Sequence, residues 1–195
     1  KNGLSFSKST SKVEVPIGKT LTEFTIEFWA NPSSVDKACW GIGDAEGKLQ
    51  FKVEERGAMS VTITGVTVST NEGYVIPGEW NHYAVRRNTA GTLVFFRNAE
   101  RFATINTDVN KDAIESLASI SMGQGAPMNG AIDEFRFWTT AYAGVSGASA
   151  TCNAHLTGIV EHVQTNGLLV YYDFDQTGGN VEDRTGNGNN GIRSG

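Results

Sequence analysis

Long apolar runs are missing from this 195-residue chain. No stretch approaches the roughly 18 apolar residues that a membrane-crossing helix needs, so no membrane-spanning segment is expected. Basic charge is also scarce: 16 Lys and Arg stand against 21 Asp and Glu, a formal net charge of −5. Phosphate backbones are held by clustered Lys and Arg, and the deficit argues against nucleic acid as a partner. The short run Glu54-Glu55-Arg56 reads as no more than a solvated hairpin end. Cysteine is limited to Cys39 and Cys152, which share no CxxC or other metal spacing and so argue against zinc. In an exported protein the two would close one long-loop disulfide or stay as two buried thiols, and spacing leaves both open. The chain opens directly on polar residues, so any export signal is expected to have been removed or left out, and the start at Lys1 suggests processing or excision from a longer precursor.

Proline is scarce as well, with 4 residues, whereas 23 glycines punctuate the chain together with Asn, Asp and Ser. Between these turn signals lie short segments rich in aromatic and β-branched residues, the pattern of antiparallel strands. Ten are predicted: Leu4 to Ser7, Lys12 to Val15, Phe24 to Ala30, Lys48 to Glu54, Met59 to Thr64, Asn81 to Arg87, Thr92 to Arg97, Ile120 to Met122, Ala131 to Trp138 and Leu168 to Phe174. Ten strands crowd a single sheet and imply two packed ones, an all-β sandwich. Helix is expected only in short surface pieces, Asp112 to Leu117 with Asp112 as its N-cap, and Cys152 to His162. No composition shift divides the chain, so residues 1–195 read as one domain.

The segment Gly130-Ala131-Ile132-Asp133-Glu134-Phe135-Arg136-Phe137-Trp138 is the most informative. Strict alternation puts Ile132, Glu134, Arg136 and Trp138 on one face and Asp133, Phe135 and Phe137 on the other. Asp133 and Glu134 then stand at the rim of the core, where a cation or ligand can sit. Alternation also sets Trp80, His82 and Ala84 on one face of their strand; His82 reads as a core residue bonded to a backbone carbonyl rather than as a catalytic base. Trp29 and Trp138 are assigned to the core.

Glycosidic hydrolysis requires two carboxylates about 5 to 9 Å apart in a cleft. Along the Asp133 strand neither acid has a carboxylate partner on its own face, and Asp173 and Asp175, which do share a face, close a strand before Gln176-Thr177-Gly178-Gly179. Nor is there a nucleophile elbow or a dinucleotide-binding glycine motif. The chain is therefore read as no enzyme. Calcium suits the composition better, since it takes six to eight oxygens from carboxylates, amides and carbonyls. The loop Asp183-Arg184-Thr185-Gly186-Asn187-Gly188-Asn189-Asn190-Gly191 offers Asp183 and Asn187 as ligands, although an Asn/Gly turn that satisfies its own backbone explains it equally well. For sugars, flat rings on loops are the candidates: Trp40 first, then Tyr74 and Tyr142. Against that stands packing of the Trp40 indole over the sandwich edge.

Taken in order, Leu4-Ser5-Phe6, Val13-Glu14-Val15-Pro16, Phe24-Thr25-Ile26-Glu27-Phe28-Trp29, Trp80-Asn81-His82-Tyr83-Ala84-Val85 and the Gly130 to Trp138 segment resemble the laminin-G-like, concanavalin A-like jelly-roll domains of bacterial surface proteins. The resemblance implies a two-sheet antiparallel jelly roll and a structural calcium at Asp133, helped by backbone carbonyls near the N-terminus. Three departures stand out: Ser7-Lys8-Ser9-Thr10-Ser11-Lys12 replaces an aspartate-rich turn, Asn98-Ala99-Glu100-Arg101 an Asn-Gly hairpin, and the small-residue stretch Ala143 to Ala150 a helix. Ligand-binding loops are thus the chain's own. The expectation is a non-catalytic carbohydrate-binding or adhesion module, secreted, periplasmic or at a bacterial cell surface, whose partner is a glycan or polysaccharide. The alternatives are a structural or protein-interaction sandwich with a protein partner, and a glycoside hydrolase.

Overall fold

The structure is a computed structural model that describes residues 3–6, 8–36, 40–106, 111–143 and 166–195. Fourteen strands are named in chain order: β1 (Leu4–Phe6), β2 (Lys12–Leu21), β3 (Phe24–Pro32), β4 (Trp40–Gly43), β5 (Leu49–Val53), β6 (Met59–Ile63), β7 (Val66–Ser69), β8 (Asn81–Arg87), β9 (Leu93–Arg97), β10 (Glu100–Ile105), β11 (Ile114–Met122), β12 (Gly130–Trp138), β13 (Leu168–Tyr172) and β14 (Ile192–Ser194). They build two seven-stranded sheets. The front sheet runs β1-β12-β3-β8-β9-β10, with β13 also paired to β12, and the back sheet runs β14-β2-β11-β4-β5-β6-β7. All the pairings are antiparallel.

Apolar side chains from the two sheets meet in one core. Phe24 of β3 sets its ring edge-on to Phe51 of β5 at 5.9 Å, and Phe28 lies 5.1 Å from Trp40 of β4. Each such buried ring is worth about 1.5–3 kcal/mol in area removed from water, which makes these contacts the main adhesive between the sheets. The sheets differ on their outer faces. The back sheet alternates: in β2, Val13, Val15 and Ile17 are buried while Glu14 and Gly18 are exposed. In the front sheet, β3, β8 and β12 are buried on both faces, and their outward-facing residues include Glu27, His82, Glu134 and Arg136. Charge removed from water at that face needs partners, which points to it as the part of the molecule under unusual constraint.

Register shifts in two strands correct the expected pattern. In β12 the pairing with β3 shifts register between Asp133 and Arg136, and Glu134 adopts φ 53°. The extra residue lets Ile132, Phe135 and Phe137 all enter the core, so Ile132 does not share a face with Glu134 as strict alternation had it. In β11, register shifts follow Ile114 and Leu117. Apolar residues therefore recur three apart, at Ile114, Leu117 and Ile120, which imitates a helical period. The helix expected over Asp112 to Leu117 is accordingly the start of a strand. Cys39, Cys152 and the helix expected over Cys152 to His162 lie outside the described residues.

Candidate carbohydrate-binding face

The outer face of the front sheet is built around Arg136. From β12 its guanidinium lies 2.9 Å from Glu134 Oε2, donates to the Glu134 carbonyl at 3.1 Å, and stands 3.7 Å from Glu27 Oε1 on the neighbouring β3. It also stacks 4.1 Å over the ring of Tyr171, whose hydroxyl donates to Glu134 Oε2 at 2.7 Å. His82 of β8 completes the row, with Nε2 3.1 Å from Glu27 Oε2. With Glu27 ionised, Nε2 carries the proton, because a carboxylate only accepts. His82 is thus buried as expected, but its partner is a carboxylate rather than a backbone carbonyl. Burial pushes the Tyr171 phenol well above its ordinary range, with Arg136 pulling it back in part. Every member of this network is buried. Glu27 and Glu134 are tied to one cation, not set facing each other across an open cleft.

Above the N-terminal end of β8 this face opens. Trp80, 39% exposed, is the one tryptophan among the large exposed hydrophobics of the described residues. Its ring reaches Gly3: a Cβ built there would lie 2.8 Å from Trp80 Cη2 and 3.1 Å from Asp133 Cβ. Gly3 therefore leaves room for the Trp80 ring edge to approach the chain beside Asp133. On adjacent strands beneath, Trp29 of β3 is paired with both Asp133 and His82 and packs edge-on to the His82 ring at 5.8 Å. Trp29 is only half-buried and sits on this outer face, so its assignment to the core is corrected. Trp138 is buried as expected, in a second apolar cluster with Phe96, Tyr142 and Tyr171. At the far end of the face, β8, β9 and β10 carry a groove of about 480 Å³ floored by Val94 and Phe96.

The three aromatics expected on loops are placed differently. Trp40 is a β4 residue, 1% exposed, packed on Phe28. Its glycine neighbours suggested a turn, but Gly41 and Gly43 serve close backbone approach: a Cβ on Gly43 would sit 2.7 Å from the Leu49 carbonyl. Tyr74 is fully buried, and its hydroxyl donates to the carbonyls of Ala84 and Phe96 at 3.1 and 2.7 Å. Tyr142 stacks on Trp138 at 4.7 Å, and its backbone N–H donates to Thr25 Oγ1 at 2.8 Å. None of the three presents an open ring face. Trp80, two residues past the Pro77-Gly78 turn, is an aromatic beside a turn in the sequence, and alternation along the strand marks only its face.

The expected metal ligands are likewise engaged. The Asp183 carboxylate accepts from the backbone N–H of Tyr171, Thr185 and Asn189 at 3.2, 3.1 and 3.1 Å, and from the Thr185 hydroxyl at 2.8 Å. Asn187 Nδ2 donates to the Leu168 and Leu169 carbonyls at 3.1 and 3.0 Å, pinning the loop to β13. This is the self-satisfying Asn/Gly turn. Asp133 Oδ1 caps the bulge by accepting the Glu134 N–H at 2.9 Å. Among the described residues no group of three or more His, Cys, Asp or Glu comes together as a metal site.

No curated protein sequence matches the chain. Among solved structures, a candidate carbohydrate-binding protein from Bacteroides ovatus superposes with a TM-score of 0.71 at 20% identity, over 95% of this chain and 56% of that one. The chain thus spans little more than half the length of that relative. The heptameric SAP-like pentraxin of Limulus polyphemus gives 0.59 at 10% identity, covering 92% and 88%. The CBM40 of Ruminococcus gnavus IT-sialidase, bound to α2,3-sialyllactose, gives 0.56 at 15% identity, covering 73% and 92%. At such identities the likeness is one of fold. Sequence carries the family itself: residues 7–144 match the laminin-G-like family of the concanavalin A-like lectin/glucanases superfamily, and the chain belongs to it.

Proposed function

We propose that this protein is a non-catalytic carbohydrate-binding module that captures glycans on the outer face of its front sheet and works outside a bacterial cell, in adhesion or polysaccharide capture. The observation that carries the reading is Trp80, a tryptophan left 39% exposed beside Gly3 and Asp133. An aromatic face stacks on the apolar side of a pyranose ring while a neighbouring polar group bonds its hydroxyls, and the apolar body with a polar edge is what suits tryptophan to such surfaces. Membership of a lectin and glucanase superfamily supports the same reading, as do relatives of this fold whose names carry carbohydrate binding. The choice of lectin over glucanase rests on the carboxylates: Glu27 and Glu134 are buried on Arg136, and Asp173 is held by Arg184 at 2.7 Å. An extracellular setting belongs to the same proposal, because that is where a capture module meets polysaccharide.

The test is an immobilised glycan panel probed with the protein and with Trp80→Ala, each with calcium and with chelator. Saturable binding in both conditions is expected, weakened in the variant about five- to thirtyfold, the equivalent of about 1–2 kcal/mol for a central aromatic contact. Equal binding by folded Trp80→Ala, or no binding by the wild type, would overturn the proposal.

A further inference from the structure

The groove at the far end of the same face has chemistry of its own. Val94 and Phe96 of β9 form the floor, and Arg86, Glu100, Arg101 and Thr104 form the walls. Its volume, about 480 Å³, falls within the ~300–1,000 Å³ of small-molecule sites. Arg86 projects over it, half-buried, its guanidinium 5.6 Å above the Phe96 ring centroid. Desolvation lowers its pKa.

Arg86 differs from most of the other arginines in what it lacks. Arg136 holds Glu27 and Glu134, Arg184 holds Asp173 and Glu182, and Arg56 holds Glu72. Arg87 and Arg97 donate to backbone carbonyls. Among the described residues Arg86 has no ion pair or hydrogen bond; the Phe96 ring is its partner. A guanidinium stripped of much of its water and given only a ring face keeps its planar fork of donors unused. Opposite, Arg101 stands in register with Phe96 on β10 and is equally without a carboxylate. Glu100 shares that wall, leaving the groove with two cations and one anion.

We infer that this groove is a subsite for an acidic sugar, one carrying a carboxylate or a sulfate, with Arg86 as the fork that receives the anion and Arg101 as a second cation. The inference rests on the carbohydrate-binding reading and gives it a ligand class. A planar carboxylate or a sulfate face accepts two parallel N–H bonds from Arg86, and the apolar floor meets the C–H side of the ring. Thr104 and Glu100 remain for hydroxyls, and Glu100 limits the site to a single anionic group.

Three matched pairs test this with the full chain in titration calorimetry: trigalacturonate and its methyl ester, sialyllactose and lactose, sulfated and unsulfated N-acetyllactosamine. At least one acidic member should bind tenfold or more tightly than its neutral mate, and weaken as salt rises. The pair that discriminates identifies carboxylate or sulfate as the anion. Arg86→Gln should abolish that preference, bringing the acidic and neutral members to similar affinity. Since Arg86 also packs on Phe96, Glu100→Gln, an exposed change, is run beside it and should tighten the acidic member two- to fivefold. If acidic and neutral members bind alike, or Glu100→Gln leaves the ratio unmoved, the acidic subsite is wrong and the carbohydrate reading stands. If no sugar in any pair or on the wider panel binds, both fall.

Discussion

Arg136→Met puts the buried network of the front sheet to its sharpest test. The substitution keeps a long apolar stem on β12 and removes a cation that contacts both Glu134, at 2.9 Å, and Glu27, at 3.7 Å. Both carboxylates stay buried, and Tyr171 loses the guanidinium stacked 4.1 Å over its ring. Taking one partner from a buried ion pair costs about 3–5 kcal/mol, because an uncompensated charge is left in a poor solvent. In a protein this size about 1 kcal/mol lowers Tm by roughly 2–4 °C, so a fall on the order of 6–20 °C is expected. Urea unfolding followed by tryptophan fluorescence gives the free energy if the slope is unchanged between variants. The double variant Glu134→Gln/Arg136→Met removes one stranded charge and should recover part of the loss, a coupling of about 1–3 kcal/mol. If Arg136→Met stays within about 1 kcal/mol of the wild type, the network is solvated and the reasoning from burial fails.

Burial raises the pKa of Tyr74, Tyr83, Tyr171 and Tyr172, in each case as the largest cause. The folded state then binds those protons more tightly than the unfolded chain, so their stabilisation is complete below about pH 10 and declines as pH rises above it. Tyrosinate absorbance should therefore appear together with alkaline unfolding; ionisation of all four near pH 10 in the folded protein would contradict this. Gly130 has φ 112°, and a Cβ there would overlap the Asn31 carbonyl, whereas Gly65, with φ 85°, faces open space. Gly130→Ala should cost about 1–3 kcal/mol by thermal melting and Gly65→Ala less, and equal losses would refute the role given to close approach.

Much of the fold was legible because apolar alternation is a local signal. Val13, Val15 and Ile17, or Leu49, Phe51 and Val53, announce a half-wet strand without reference to anything distant. What was missed is where that signal is distorted. Bulges in β11 and β12 shift the apolar spacing from two to three, and the sequence then reads as a helix or as the wrong face. Strand β4 was hidden because Gly41 and Gly43 look like turn residues until the neighbouring backbone is seen pressing on them. The site was less legible still. Glu27, His82, Glu134, Arg136 and Tyr171 come from four strands, and no spacing along the chain announces their convergence. Tyr74 and Trp40 show the same limit, since a loop-like sequence context says nothing about whether a ring points into the core.

The most direct test of a glycan site on the front sheet uses the indole N–H resonances of Trp29, Trp40, Trp80 and Trp138 in a ¹⁵N-labelled sample, with Trp80 assigned by its loss in Trp80→Phe. Titration with a panel-selected oligosaccharide should move the Trp80 resonance saturably, with the buried Trp40 resonance still. Binding that leaves Trp80 unmoved would contradict the account, as would the failure of every glycan to bind.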